Sequence, residues 1–363
     1  MSELADRLAT LTERLVAIPS VSRDEGAILE EIRRQLPVGF TLIDEEDSVV
    51  LALPERRPGR ALILLAGHVD TVPPGDSAPA RREGGWIHGR GAADMKGGLA
   101  VMLSVADALA AGDQESNLDV GLLFSGREEL PFGESSIVPL FERRPELREV
   151  ALAIILEPTA NELHLGCLGN LNAIATFEGE AAHTARPWLG RNAVHAAIAA
   201  LAPVADLPVR EVRVDGLVFR ETASVTTIQG GQARNVVPAR ATAHVNFRYA
   251  PVHTPEEAER RLRDLLGHPA ASVEIVGNAP PGQVPAGNLY VERLRAAGDL
   301  AVGPKQAWTP VAEFGLIGVD AVNFGPGDPQ YAHRDDERVE IAALVRCDEV
   351  LRAFLASAGG PEG

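Results

Sequence analysis

A small set of histidine and acidic residues has the composition of a metal site. Imidazole nitrogen and carboxylate oxygen both bind zinc, and two histidines with three carboxylates suit a pair of zinc ions that share one ligand. Each of these residues taken alone is more commonly a packed, capping or solvated side chain, so the interpretation depends on the whole set. Its members are His68, Asp94, Glu129, Glu157 and His333.

Three members of the set come at the end of apolar runs that have the length of buried strands. His68 ends the first run, Glu129 follows the second, and Glu157 lies at the end of the third. In open parallel sheets, ligands bind beyond the carboxyl ends of the strands, so we expect these side chains at one edge. The runs are ALILLAGH (61 to 68), LDVGLLFSG (118 to 126) and ALAIILEP (151 to 158).

Three acidic residues near these runs have further chemical uses. Asp70 is placed to accept a hydrogen bond from the second ring nitrogen of His68, which would fix the tautomer of a ligating imidazole. Asp94 lies in GRGAADMKGG (89 to 98), where it is either a helix N-cap or a carboxylate that bridges two cations. In the pair Glu128 and Glu129, one acid could ligate a metal while the other accepts a proton.

The elements that must position these residues are typical of the α/β class. Short apolar runs separated by amphipathic segments predict a parallel sheet covered by helices on both faces. Residues 2 to 18 and 95 to 112 have helical spacing, and the second helix should end at Gly112. A fourth strand-like run is DAVNFGPG (320 to 327).

The middle of the chain has a different pattern and predicts an inserted domain. Residues 172 to 278 combine alternating strands with two helical segments, which favours an antiparallel sheet with two helices. The predicted organisation is a first part of a catalytic domain (1 to 171), an inserted α+β domain (172 to 278) and a second part of the catalytic domain (279 to 363).

Composition excludes several classes of partner. The formal net charge of −17 disfavours nucleic acid and anionic membrane surfaces. Two cysteines are too few for a disulfide framework, and neither a signal peptide nor an apolar run of membrane-spanning length is evident. We therefore expect a cytoplasmic protein.

Five segments together resemble the ligand motifs of the co-catalytic zinc aminoacylase and carboxypeptidase family. The resemblance extends from about residue 10 to the C-terminus. It implies a zinc-peptidase-like, mixed but largely parallel sheet flanked by helices, with the insert as a lid that also mediates homodimer formation. The segments are HVDTVP (68 to 73), GRGAADMKGG (89 to 98), REE (127 to 129), LEPT (156 to 159) and YAHRDDE (331 to 337).

The resemblance also implies a role for each motif residue and a cofactor of two Zn²⁺ per subunit, for which Co²⁺ could substitute. The implied reaction is hydrolysis of an amide in which a carboxylate takes a proton from water and returns it to the leaving amine. His68 and Glu157 would bind one metal, Glu129 and His333 the other, with Asp94 as the bridge, Asp70 orienting His68 and Glu128 as the general base.

Further residues resemble family contacts to the substrate, which is expected to be a small anionic N-acyl amino acid. His183 would stabilise the oxyanion across the dimer, and Asn235 would be a second lid contact. Arginine suits the carboxylates of such a substrate because its guanidinium binds carboxylates in a bidentate manner. The substrate-binding candidates are Asn235, Arg248, Arg186, Arg234 and Thr309.

Wider stretches narrow the expected substrate within the family. Residues 166 to 196, 219 to 251 and 305 to 314 resemble members that hydrolyse N-succinyl-LL-2,6-diaminopimelate. Arg127 and the stretch 167 to 170 depart from the usual pattern of those members, which leaves an acetylornithine deacetylase, aminoacylase or dipeptidase as alternatives. A non-catalytic binding protein is a third class, disfavoured because Glu128 and all the ligand positions are intact.

Overall fold

The computed structural model describes residues 2–77, 79–114, 116–269 and 271–357. The chain forms two compact units. The first comprises Met1–Gly166, Pro285–Lys305 and Thr309–Gly363, and the second comprises Cys167–Val284 and Gln306–Trp308. The helices are α1 (Glu3–Val16), α2 (Gly26–Gln35), α3 (Gly97–Ala111), α4 (Ile137–Arg143), α5 (Ala193–Ala205), α6 (Pro255–Leu265), α7 (Leu289–Gly298), α8 (Val311–Leu316) and α9 (Ile341–Ser357).

The strands form three sheets within the described residues, two of them large. In chain order the strands are β1 (Phe40–Asp44), β2 (Val49–Pro54), β3 (Leu62–His68), β4 (Arg81–Glu83), β5 (Trp86–His88), β6 (Asp119–Ser125), β7 (Val150–Ile155), β8 (Leu163–Cys167), β9 (Gly169–Glu178), β10 (Arg210–Val214), β11 (Leu217–Gly230), β12 (Arg240–Tyr249), β13 (Ala271–Ala279), β14 (Val302–Lys305), β15 (Ala321–Asn323) and β16 (Arg338–Glu340).

The first unit is built on a mixed sheet with the order β1-β2-β6-β3-β7-β15-β8-β14. Its central strands β6, β3, β7 and β15 are parallel, whereas β1, β2 and β8 pair antiparallel. Every residue of β3 and β6 is buried, as expected for strands covered on both faces. The predicted class, a largely parallel sheet flanked by helices, is confirmed.

Both helices predicted for this unit form; the first ends at Val16 instead of residue 18, and the second ends before Gly112 as expected. Helix α1 begins after Ser2, whose side chain accepts a hydrogen bond from the N–H of Ala5. Helix α3 ends before Gly112, which has a left-handed conformation with φ of 76°. Eleven of the fifteen residues of α3 are buried, including the first ten, so most of this helix lies within the core.

The second unit contains an antiparallel sheet with the order β10-β11-β12-β9-β13 and the helices α5 and α6. Burial alternates along β9 and β12, so one face of the sheet packs on the helices and the other carries polar side chains. Helix α6 begins with a capping box formed by Thr254 and Glu257.

The structure also bears on the cysteines and on membrane-spanning helices. Cys167 and Cys347 are buried free thiols, consistent with the absence of a disulfide framework. Within the described ranges, no helix combines the length and the apolar character needed to cross a lipid bilayer.

Candidate active site

Side chains that follow three neighbouring strands meet at the carboxyl edge of the central sheet. Strand β3 lies between β6 and β7 and is parallel to both. His68 is the last residue of β3, Glu129 follows β6 after a short loop, and Glu157 lies two residues beyond the end of β7. The parallel order of the strands brings these three side chains to one place.

Two groups of potential ligand atoms share the carboxylate of Asp94. In the first group, Nε2 of His68 lies 3.0 Å from Oδ1 of Asp94 and 3.5 Å from Oε1 of Glu157. In the second, Nε2 of His333 lies 3.0 Å from Oε1 of Glu129 and 3.4 Å from Oδ2 of Asp94. All donor atoms within a group lie within 4.8 Å of one another. The structure therefore brings together the five residues of the proposed ligand set.

Glu337 holds the turn that carries Asp94. Its Oε1 accepts hydrogen bonds from the N–H groups of Ala93 and Asp94, both at 3.1 Å. Its Oε2 accepts from the N–H of Gly91 and from Nη1 of Arg90, both at 2.9 Å. Glu337 belongs to the motif YAHRDDE, but its role was not predictable, because contacts between segments so far apart leave no local pattern.

Two glycines allow the loop before His333 to pack against the other ligand-bearing segments. A Cβ atom on Gly327 would lie 2.1 Å from the carbonyl oxygen of Ala93, and one on Gly325 would lie 2.3 Å from the carbonyl oxygen of Leu156. Neither distance is sterically possible, so this close approach of backbones requires glycine.

The carboxylate of Asp70 supports the loop after β6. Its Oδ1 and Oδ2 accept the N–H groups of Glu128 and Glu129, each at 3.1 Å, and Ser22 donates to Oδ2 at 2.7 Å. The predicted partner, Nδ1 of His68, lies 3.6 Å from the carboxylate and 3.0 Å from the carbonyl oxygen of Asp70. Asp70 thus fixes the imidazole chiefly through its main chain, because its carboxylate is engaged by the neighbouring loop.

Glu128 lies among several charged groups near His68. Burial raises the pKa of Glu128 well above its ordinary value; His68 opposes the rise, and the carboxylates of Glu157, Glu129 and Asp94 reinforce it. A carboxyl group with a raised pKa can both accept and return a proton near neutral pH. Its environment is therefore suited to general acid and base chemistry.

The electrostatics of the cluster favour bound cations. His68 is buried, which by itself would lower its pKa, yet the surrounding carboxylates raise that pKa well above the ordinary value. Hydrogen bonds to Asp94 and Glu129 raise the pKa of His333 to about 10. Oε1 of Glu157 is buried without a hydrogen-bond partner among the described residues. Buried carboxylates in such excess need cations, and the donor set fits divalent metal ions.

Lys305, at the end of β14, is a further residue of the site that was not predicted from the sequence. Its buried ammonium lies 3.3 Å from Oε2 of Glu157 and donates a hydrogen bond to the carbonyl oxygen of Pro158 at 2.9 Å. One compositional signal could have singled it out, since Lys96 and Lys305 are the only lysines among the 34 lysine and arginine residues of the chain.

The remaining candidates from the sequence are distributed over both units. Thr309 belongs to the first unit and is fully buried before α8. In the second unit, His183 pairs with Val236 in a short antiparallel bridge, and the N–H of Thr184 donates to the carbonyl oxygen of Asn235. This pairing places His183 and Asn235 on adjacent exposed segments. The arginine candidates of this unit are Arg186 and Arg234, which are exposed, and Arg248, which lies on β12 and donates to Asn246.

The fold and the acidic, histidine-containing cluster define a metal-dependent amide hydrolase. The sequence model of Peptidase family M20/M25/M40 matches residues 64–357, and this chain belongs to that family. It is 37% identical over 352 residues to a Mycobacterium tuberculosis protein named succinyl-diaminopimelate desuccinylase DapE, covering 95% of this chain and 97% of that protein. It is 35% identical over 361 residues to the succinyl-diaminopimelate desuccinylase of Corynebacterium glutamicum, covering 95% of each.

Solved structures with similar folds include peptidases. The aminopeptidase PepT of Bacillus cereus has a TM-score of 0.79 at 19% identity, covering 98% of each chain. The Bacillus subtilis protein YXEP, described as a dinuclear metal-binding peptidase, has a TM-score of 0.68 at 15% identity, covering 97% of this chain and 98% of that one. At such identities the similarity establishes the fold alone.

Proposed function

We propose that this protein hydrolyses the amide bond of N-succinyl-LL-2,6-diaminopimelate to give succinate and LL-2,6-diaminopimelate. The observation that carries the proposal is the similarity, at 35% to 37% identity over 95% of the chain, to proteins named succinyl-diaminopimelate desuccinylase. The clustered histidine and carboxylate side chains support the metal dependence that the family implies.

The proposed cofactor is a pair of zinc ions, for which cobalt could substitute. His68 and Glu157 would hold one ion, Glu129 and His333 the other, and Asp94 would contact both because its two oxygens face different histidines. The chemistry that such a pair supplies is polarisation of the amide carbonyl and a lower pKa for a water molecule. The mixture of imidazole and carboxylate donors suits zinc.

Glu128 is the proposed general base. It takes a proton from the attacking water and returns it to the nitrogen of the leaving amine, a cycle that its raised pKa favours. The N–H of Glu128 is held by Asp70, so the carboxyl group starts from a fixed main chain. Asp70 also fixes the imidazole of His68 through its carbonyl oxygen.

The proposed substrate contacts in the second unit rest on the family resemblance. His183 would donate to the oxyanion of the tetrahedral intermediate, and Asn235 on the adjacent segment would contact the substrate. Arg248 would bind a carboxylate of the substrate, with Arg186 and Arg234 as further candidates. Thr309 would line the pocket for the succinyl group.

The unit that contains residues 172–278 is proposed to act as a lid and to form a homodimer. Exposed apolar side chains in this unit support an interface, among them Trp188, Leu189 and Ile198. The proposed setting is diaminopimelate and lysine biosynthesis in the cytoplasm, with which the two buried free thiols are compatible.

The test is a comparison of kcat/KM for three amides with zinc-loaded protein. We expect N-succinyl-LL-2,6-diaminopimelate to be preferred over N-acetylornithine and a small dipeptide by at least about tenfold, since unpaired polar groups in a specific pocket penalise the wrong substrate. The Glu128→Ala variant measures the background. Preference for either other amide would retain the hydrolase and refute the proposed substrate.

A further inference from the structure

Both lysines of the chain are buried. Lys96 and Lys305 are 1% and 5% exposed, although the chain has 34 lysine and arginine residues in total. Every exposed side chain with a permanent positive charge is therefore an arginine. An ammonium group is a compact point charge on a flexible stem, whereas a guanidinium is a wide planar fork, so the two groups are not interchangeable at a confined position.

Lys305 gives the two oxygens of Glu157 different surroundings. Oε2 faces the ammonium group at 3.3 Å, whereas Oε1 lies 3.5 Å from Nε2 of His68. Lys305 is fixed in turn by its hydrogen bond to the carbonyl oxygen of Pro158, the residue after Glu157. Among the described residues, Oε1 has no hydrogen-bond partner and so remains available to a cation.

We propose that Lys305 is a positioning residue that presents only Oε1 of Glu157 to the group of His68 and Asp94, and that its positive charge makes this group the weaker of two metal sites. The inference deepens the proposed function and rests on its pair of metal ions. It assigns the difference between the sites to one side chain outside the ligand set.

Within the described residues, the group of His68, Asp94 and Glu157 has a positive charge beside it that the group of Asp94, Glu129 and His333 does not have. Both groups share Asp94, and each adds one histidine and one glutamate. The charge of Glu157 is offset by Lys305, whereas no lysine or arginine in the described part of the chain forms an ion pair with Glu129. Cation affinity depends on the net charge of the ligands, and a buried positive charge a few ångströms from a divalent ion opposes its binding.

Zinc titration of the metal-free protein against a chelating dye tests the inference. The wild type should take up two zinc ions with different dissociation constants. Lys305→Met should tighten the weaker site about tenfold or more and change the stronger site much less, because the charge that is removed lies beside Glu157, a ligand of the weaker site alone. Lys305→Arg keeps the charge and is the matched control, so its weaker site should stay weak.

A second measurement needs no variant that removes the charge. Protein labelled with ¹³C at the lysine Cε atoms should give two signals, and the one missing from Lys305→Arg belongs to Lys305. We expect this signal to move only during uptake of the second zinc ion. Movement with the first ion would overturn the inference, as would unchanged zinc affinity in Lys305→Met or equal weakening by both substitutions.

The same zinc titration distinguishes an error in the proposed pair of metal ions from an error in the role of Lys305. A wild-type protein that takes up fewer than two zinc ions at saturating zinc would contradict the proposed pair of ions, and this inference with it. Uptake of two ions together with any of the contrary results above would overturn the role of Lys305 alone.

Discussion

Glu337 accepts a hydrogen bond from the N–H of Asp94 at 3.1 Å, although the two residues are 243 positions apart. The same carboxylate accepts the N–H groups of Gly91 and Ala93. The turn that carries the proposed bridging ligand is therefore held by an acid that is not itself one of the five proposed ligands. Loss of such supporting contacts typically lowers metal affinity by about 10- to 100-fold.

Replacement of Glu337 by alanine should destabilise the protein and weaken its metal binding. Two buried N–H groups and one partly buried N–H group lose their acceptor at once, so the free energy of unfolding should fall by at least about 2 kcal/mol. Zinc affinity should fall about 10- to 100-fold. Chemical denaturation and zinc titration measure the two effects. The exposed Glu340 is the control, and equal effects of Glu340→Ala would contradict the assignment.

Glu128 and Glu129 should differ in function although they are adjacent in the sequence. Glu128→Gln removes the proton acceptor and should lower kcat by about 10² to 10⁴ while both metal ions stay bound. Glu129→Gln removes a ligand and should reduce the metal content. Elemental analysis and steady-state kinetics on the two variants separate these outcomes. Loss of metal from Glu128→Gln would show that Glu128 is a metal ligand and would contradict its assignment as the general base.

Gly327 should not tolerate a side chain. A Cβ atom would collide with the carbonyl oxygen of Ala93, so Gly327→Ala should displace the turn beside Asp94. We expect a loss of about 1 to 3 kcal/mol in the free energy of unfolding, together with weaker zinc binding. Gly133→Ala is the control, because a Cβ atom on Gly133 would have no described residue within 4 Å other than its two chain neighbours. Normal stability and zinc affinity in Gly327→Ala would contradict this prediction, because they would show that the loop can shift away from Ala93 without loss of stability.

Glu313 should make stability depend on pH. Burial raises the pKa of Glu313 to about 7, and Ser135 opposes the rise by donating a hydrogen bond. Between the ordinary carboxyl pKa of about 4.3 and about 7, the folded protein holds a proton that the unfolded chain releases. The free energy of unfolding therefore falls as pH rises through this window, by roughly 4 kcal/mol in total.

The Glu313→Gln variant should lose this dependence and be the more stable protein at pH values above about 7. Chemical denaturation of both proteins across the window measures it, with the exposed Glu146→Gln as the reference for general effects of charge removal. Parallel curves for wild type and Glu313→Gln would show that Glu313 titrates normally.

The chemistry-bearing residues were predictable because each has a local signal. His68 and Glu157 come at the ends of apolar runs, and parallel strands place such ends together. The four runs do contain strands of the central sheet, but the last is shorter than predicted, with β15 covering only Ala321–Asn323. The glycine and proline that follow Asn323 belong to the loop leading to His333.

The missed features are contacts between distant segments or strands without apolar pattern. Glu337 and Lys305 act on turns that lie far from them in sequence, and no spacing rule connects such pairs. Strand β10 (Arg210–Val214) is an edge strand in which only Val212 and Val214 are partly buried, so its alternation is too short to identify a strand from the sequence. The nearer contact of His68 with the carbonyl oxygen of Asp70 depends on backbone geometry, which sequence spacing does not determine.

Anomalous diffraction from zinc-loaded crystals tests the proposed metal centre most directly. The account predicts two zinc peaks, one beside His68 and Glu157 and the other beside Glu129 and His333, with one oxygen of Asp94 directed at each. A single peak, or two peaks of which only one contacts Asp94, would contradict the shared ligand and with it the proposed metal pair.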